Sequence, residues 1–202
     1  KTGSVGKLAC FSFNGNKMIT TGGGGMVVTN DGGLAERIKH LSTQAKNDSV
    51  EYDHDEVGYN YRLTNIQAAM GVAQMECLDK FVEIKRKNAF GYQNLISSID
   101  GIEFLWEKPW VKSNFWFYTV KVSNGHKKSL MDYLISKNIQ VRPIWKPIHT
   151  LPMYEYCQAY KIENTINIYE TAFNLPCSVS LKEDEILFVV KNINEYFTRL
   201  HT

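Results

Sequence analysis

Four consecutive glycines, Gly22 to Gly25, constrain this chain more than any other feature. Glycine accepts positive φ and lets backbone pack closely against backbone or ligand, so the run marks a loop built for close approach. It lies between two β-type segments. Residues 8–13 (Leu8, Ala9, Cys10, Phe11, Ser12, Phe13) read as a short buried strand, and Met26 to Thr29 as a second β run. Asn14, Gly15, Asn16 and Lys17 form a turn by composition, and so do Asn30 to Gly33, which feed a helix near Leu34–Leu41. The polar, acidic stretch 42–57 reads as a loop.

A long helix is expected next. Asn65 is placed to cap it, and Ile66, Ala69, Met70, Ala73, Cys77, Phe81 and Ile84 recur at steps of three and four, continuing through Tyr92, Leu95 and Ile96 to a stop at Gly101. A helix of roughly 30 residues would span about 45 Å, which suits a connector between domains. Beyond it the pattern changes. Phe115–Val122 alternates like a half-buried strand, Lys127–Lys137 reads as a helix and Ile139–Arg142 as a strand. Shorter helices are expected near 152–160, 164–173 and 182–199, and the aromatics Trp106, Trp110, Phe115, Trp116 and Phe117 are assigned to a core. The strand–helix alternation predicts a small α/β domain. The expected organisation is therefore 1–64 as part of one domain, 65–100 as the connecting helix and 101–202 as a small C-terminal domain.

Composition excludes several classes. Lys plus Arg (23) nearly balance Asp plus Glu (21), so charge gives no argument for nucleic acid or an acidic membrane. No apolar run approaches the ~20 residues needed to cross a bilayer. Cys10, Cys77, Cys157 and Cys177 are scattered without a CxxC pair, and read as reduced thiols of a cytoplasmic protein. The acidic run Glu51 to Glu56 has no zinc-type spacing and reads as a solvated loop; no metal site is expected.

Lys17 is the residue with chemical potential. It sits between a strand and the glycine run. A lysine there is either surface charge or a Schiff-base nucleophile, which needs a site that favours the neutral amine. Ser12, five residues earlier, could donate to a phosphate on the same ligand. The lysine precedes the glycines, so this is not the Gly-Lys-[Ser/Thr] phosphate loop.

The segment Cys10 to Lys17, the glycine run and Gly58-Tyr59-Asn60-Tyr61-Arg62-Leu63 together resemble the DegT/DnrJ/EryC1/StrS family, pyridoxal-phosphate-dependent sugar aminotransferases of the fold-type I, aspartate aminotransferase-like class. Asn65 to Asp79 also follows the family's long helix. Most of the family has Gly-Glu-Gly-Gly where this chain has four glycines. The all-glycine form, with Thr20-Thr21 before it and Arg142-Pro143-Ile144-Trp145 later, is similar to a subgroup acting in bacillosamine- and legionaminic-acid-type pathways.

The resemblance implies an α/β fold, pyridoxal 5'-phosphate as cofactor with pyridoxamine 5'-phosphate as its aminated form, and amino transfer from an amino acid, glutamate by expectation, to a nucleotide-linked 4-keto-6-deoxy sugar. It implies Lys17 as the cofactor-bonding and proton-shuttling lysine and Ser12 as a phosphate ligand. Asn60 would reach the phosphate of the partner subunit, which makes a homodimer with shared sites; read without the resemblance, Asn60 could equally bond its own loop. Arg62 is open between substrate and a structural pair with Asp55 or Glu56. Arg142, Trp145 and His149 are candidate substrate contacts, against a packed interdomain loop. A pyridoxamine-dependent dehydratase would have the lysine replaced, so Lys17 argues against it. A non-catalytic, phosphate- or nucleotide-binding dimerisation module, or an inactive fragment, is the alternative. Lys17 stands near the middle of family chains about twice as long, so the sequence reads as a C-terminal half.

Overall fold

The computed structural model describes residues 1–48 and 50–200. They form two compact units, Lys1–Asp79 and Lys80–Thr202.

In the first unit, β1 (Leu8–Ser12) and β2 (Gly25–Thr29) pair antiparallel, with Leu8 opposite Thr29 and Ser12 opposite Gly25. Gly25 is required by the register: a Cβ there would sit 2.5 Å from the Phe11 carbonyl oxygen. The ladder continues past the strand ends, as Phe13 N–H donates to Gly24 O at 3.0 Å. α1 (Gly32–Ser42) starts two residues before its expected position because Asp31 caps it, its Oδ1 accepting from Leu34 N–H at 3.1 Å. This unit buries little. Of its described residues only Thr21 and Ala45 are buried, while Leu8, Phe11, Met26, Val27 and Val28 are exposed.

The single long helix expected over 65–100 is two helices, α2 (Asn65–Glu76) and α3 (Leu78–Ile96). Cys77 interrupts them at φ −99° and ψ −1°, its N–H turned to the Gln74 carbonyl in a tightened turn. The cap is Thr64 rather than Asn65. Thr64 Oγ1 accepts from Gln67 N–H at 3.3 Å while Gln67 Oε1 accepts from Thr64 N–H at 3.1 Å, and this reciprocal pair fixes the start one residue earlier.

The second unit is a four-stranded antiparallel sheet in the order β3 (Ile102–Phe104), β4 (Tyr118–Val122), β6 (Ala172–Leu175), β5 (Arg142–Pro143). α4 (Lys127–Ser136), α5 (Glu163–Thr171) and α6 (Glu183–Leu200) complete it. Tyr118, Val120 and Val122 point to one face. They join Ala89, Tyr92 and Ile96 of α3, Leu130 and Leu134 of α4, and Ile186, Val189, Ile193 and Phe197 of α6 in one core. Gly101 ends the turn after α3 at φ +87°, where a Cβ would meet Phe197 Cε1 at 2.8 Å.

Several expectations shift. β3 and β6 are strands that periodicity did not reveal. Ala172–Leu175 is buried on both faces and has no alternation to read. The expected strand at 139–142 pairs only at Arg142–Pro143. In place of the helix near 152–160 there is one short 3-10 turn, Pro152–Tyr154, preceded by another at Ile148–Thr150. Of the five aromatics assigned to the core only Phe115 is buried; Trp106 and Trp110 are exposed, and Trp116 and Phe117 are half-buried.

Candidate functional site

Lys17 lies in the loop from Asn14 to Thr21, pinched shut at Phe13. Thr21 N–H donates to Phe13 O at 3.0 Å, and Lys17 N–H closes the turn on Asn14 O at 3.0 Å. Thr20 Oγ1 also donates to Phe13 O at 3.0 Å, and Thr20 N–H reaches Gln74 Oε1 of α2 at 3.4 Å. The turn thus has fixed ends, and Lys17 projects from it half-buried. Ser12, at the end of β1, is exposed, its Oγ accepting from Asn14 N–H at 3.4 Å. Gly15, Gly22 and Gly23 surround the turn with open space: a Cβ at any of them would meet nothing within 4 Å.

The segment carrying Asn60 is stitched to the end of α1. Tyr59 N–H donates to Leu41 O at 2.7 Å, Gln44 N–H to Tyr59 O at 3.0 Å and Tyr61 N–H to Ser42 O at 3.1 Å, and Thr43 and Asn60 form an isolated bridge. Gly58 allows this approach, because a Cβ there would overlap the backbone of Gln44 and Ala45. Arg37 grips both oxygens of Glu56, and His40 Nε2 meets Asp55 Oδ1 at 2.8 Å. The acidic carboxylates therefore pair with Arg37 and His40, not with Arg62. His40, Asp55 and Glu56 do converge within 4.8 Å, but both carboxylates are already engaged in ion pairs.

Asn60 and Arg62 line one cleft of about 490 Å³ with Phe11, Gly24, Gly25 and Met26. Lys17 and Ser12 are not among its lining residues. The structure thus places Ser12 on the strand that leads into the Lys17 turn, and Asn60 and Arg62 in one cleft whose lining includes neither Ser12 nor Lys17.

In the second unit, Arg142 lines a cleft of about 320 Å³ with Phe117, Gln140 and Asn174. Trp145 is 66% exposed and packs edge-on against Phe117 at 5.3 Å between ring centroids, with Trp116 at 5.8 Å. His149 is half-buried in a 3-10 turn, its Nε2 enclosed and without a hydrogen-bond partner. Arg142 and Trp145 are linked through Phe117; His149 does not line the cleft.

The sequence reading missed a polar face on α3. Lys85, 3% exposed, donates from Nζ to the carbonyls of Trp116 (2.9 Å) and Cys177, and lies 4.4 Å from the Tyr118 ring centroid. Asn88 Nδ2 donates to Leu181 O at 3.2 Å and Tyr92 Oη to Pro176 O at 3.3 Å. Burial pushes the Lys85 ammonium below its ordinary value, with Cys177 opposing. A search for apolar stripes passes over this face because two of its members are polar.

The first unit's donor set suits a phosphate-bearing aldehyde cofactor. Lys17 supplies an amine nucleophile, while Ser12 and Asn60 supply hydroxyl and amide donors, and no carboxylate lines the Asn60 cleft among the described residues. Among the described residues no helix is long and apolar enough to cross a membrane, and all four cysteines are free.

The chain is 40% identical over 190 residues to EpsN of Bacillus subtilis (strain 168), a candidate pyridoxal phosphate-dependent aminotransferase, covering 92% of this chain and 49% of that protein. It is 38% identical to the GDP-perosamine synthase of Escherichia coli O157:H7, covering 97% and 53%. The aminotransferase TlmJ from Streptoalloteichus hindustanus superimposes on all of this chain and 55% of its own, with a TM-score of 0.92 at 22% identity, which establishes the shared α/β fold. The chain spans about half the length of the curated relatives it matches. Residues 1–194 match a single family along nearly their whole length, and the chain belongs to the DegT/DnrJ/EryC1/StrS aminotransferase family.

Proposed function

We propose that the protein is a pyridoxal-phosphate-dependent aminotransferase that moves an amino group from an amino acid, with glutamate as the expected donor, to a nucleotide-linked 4-keto-6-deoxy sugar in amino-sugar biosynthesis. The observation that carries this reading is Lys17, held on a turn with both ends fixed and open space around its glycines, in a chain of this family. The bound cofactor would supply an aldehyde for amine exchange and an electron sink.

The chain's own residues have defined tasks in this reading. Lys17 Nζ would hold the cofactor's aldehyde carbon, and its amine nitrogen would hold and return a proton. The Ser12 hydroxyl donates to the phosphate. Asn60 donates its amide to the phosphate of a second subunit, so that each site is shared across a homodimer. Arg62, in the Asn60 cleft, adds positive charge for an anionic substrate group. Arg142 and Trp145 offer a guanidinium and an exposed ring for nucleotide-sugar phosphate and base. His149, the remaining candidate substrate contact, does not line the Arg142 cleft, and its Nε2 is enclosed.

The test is covalent. Pyridoxal phosphate is added to the protein, borohydride fixes any imine, and peptide mapping locates the label. Lys17 is the expected site. A label confined to other lysines, including the buried Lys85, or no label at all, refutes the reading. The absence of a label with retained phosphate binding is the outcome a non-catalytic binding module would give.

A further inference from the structure

Lys85 is a buried amine that the proposed amino transfer does not use. Among the described residues it is the one buried lysine, and no carboxylate pairs with it. Buried lysines are ordinarily paired with an acid. This one is held instead by the carbonyls of Trp116 and Cys177 and by the face of the Tyr118 ring. Burial without a counter-ion favours the neutral amine, and a neutral amine is a nucleophile.

The group beside it is a thiol. Lys85 Nζ donates to the carbonyl of Cys177 itself, and the Cys177 side chain lies within hydrogen-bonding reach of the same nitrogen. Cys177 differs from the other cysteines. Cys10, Cys77 and Cys157 are exposed, whereas Cys177 is half-buried and packs against the core. It also lines the 320 Å³ cleft with Phe117 and Ser178. The residue thus borders the buried amine and a cleft that admits a small solute. Its surroundings are fixed from α3 on both sides, by Tyr92 on the Pro176 carbonyl at 3.3 Å and by Asn88 on that of Leu181 at 3.2 Å. Two nucleophiles held together in this way react intramolecularly, without the cost of finding each other.

We infer that Cys177 and Lys85 are a covalent modification site, joined by hydrogen peroxide into a sulfenamide cross-link between Sγ and Nζ. In the first step the Cys177 sulfur attacks the peroxide. An S–O bond forms, the O–O bond breaks, the sulfur loses two electrons to the peroxide, and one water leaves; the product is a sulfenic acid. In the second step the Nζ lone pair attacks that sulfur. The S–N bond forms, the S–O bond breaks, and the departing hydroxyl takes an amine proton to leave as a second water. A thiol plus an amine plus one peroxide thus give one S–N link and two waters. Sulfenic acids condense with a neighbouring nitrogen in this manner, and Lys85 is the nitrogen the fold supplies. The link ties α3 to the segment after β6 and is reopened by a thiol reductant. It is independent of the aminotransferase reading.

The test treats the full chain with hydrogen peroxide and digests it without reductant for peptide mass analysis. The exposed Cys10, Cys77 and Cys157 are first changed to serine, which leaves Cys177 as the sole thiol. The expected product is the Lys85 peptide joined to the Cys177 peptide, lighter than their sum by two hydrogen atoms, about 2 Da. Dithiothreitol should abolish the linked pair and restore the free thiol in full. Lys85→Met removes the amine, so the link should vanish and Cys177 should advance to its sulfinic acid. The wild-type link is read directly and depends on no variant's folding. Oxygen retained at Cys177 beside an unmodified Lys85, oxygen retained within the link, or a link to a different amine overturns the inference. A Lys17 label that fails to form leaves this result untouched, and a missing Lys85 link leaves the Lys17 label untouched.

Discussion

Replacing Lys85 with Met separates a polar clamp from a merely tolerated buried charge. Methionine keeps the length and apolar bulk of the lysine stem and removes the ammonium. Two carbonyls, of Trp116 and Cys177, then lose their donor. An unsatisfied buried carbonyl costs about 1–3 kcal/mol, so the gross penalty is about 2–6 kcal/mol. Against it stands the desolvation no longer suffered by the charge, several kcal/mol before its compensation. Because Lys85 also lies against the Tyr118 ring, part of that cost is already offset in the native protein, and the net loss should be about 2 kcal/mol. All four tryptophans, Trp106, Trp110, Trp116 and Trp145, lie in the second unit, so their fluorescence reports this unit's unfolding. With a urea slope of about 1–3 kcal/mol/M, the midpoint should fall by about 1 M.

The pH dependence supplies a second signature. Burial lowers the Lys85 pKa in the folded state, so between the folded value and the unfolded 10.5 the unfolded chain binds more protons. Native stability must therefore rise with pH through that window. Tyr92 and Tyr118 are pushed upward by burial and reduce stability only as pH climbs past 10, so measurements stay below that value. The wild-type protein should gain stability from neutral toward alkaline pH, and Lys85→Met should lack this increment. An unchanged midpoint, or an alkaline gain that persists in the variant, would refute the clamp.

Glu107 is held at about 2 by the Arg86 guanidinium and the Ser113 N–H. Its folded pKa lies below the unfolded 4.5, so its contribution is complete above 4.5 and fades as pH falls toward 2; Glu107→Gln should flatten that part of the acid limb, and an unaltered acid profile would count against the pair. Gly58→Ala forces a methyl group into the Gln44–Ala45 backbone, which should cost about 1–3 kcal/mol in the first unit and speed hydrogen exchange at the Gln44, Tyr59 and Tyr61 amides; unchanged exchange would show that the close approach is dispensable. Asn60→Ala should weaken retention of pyridoxal phosphate by about tenfold, as expected for a lost hydrogen bond to a charged group, while leaving those same exchange rates intact; equal retention at equal stability would remove Asn60 from the phosphate site.

Sequence and structure part company where polarity and burial do. The Lys17 turn was legible because turn formers and glycines declare themselves through backbone chemistry, which is local; the register that sets Gly25 opposite Ser12 was not read from the sequence. Thr64 was legible in principle as well, since Thr-x-x-Gln is a reciprocal cap; reading Asn65 as the cap overlooked Gln67. The face of α3 was not legible. Its buried positions, Lys85, Asn88, Ala89, Tyr92 and Ile96, keep helical spacing, but the first two are polar, so a count of apolar residues follows Phe81 and Ile84 instead and runs one helix through Cys77. What makes Lys85 and Asn88 inside residues is the set of carbonyls at Trp116, Cys177 and Leu181, 31, 92 and 93 positions away. The same reasoning explains β6: a four-residue strand buried on both faces has no period, and only its neighbours β4 and β5 define it. The first unit presents the inverse case. Its strand residues have the apolar, β-branched character of an interior, and Leu8, Phe11, Met26, Val27 and Val28 are nonetheless exposed in the chain by itself. A two-stranded ribbon is marginal alone, so the geometry of the Lys17 turn depends on the hydrogen bonds that close it at Phe13 and on the tie from Thr20 to Gln74, while in the second unit the Arg142 cleft has a packed core behind it and α3 side chains bonded to the carbonyls of Pro176, Cys177 and Leu181 in its lining.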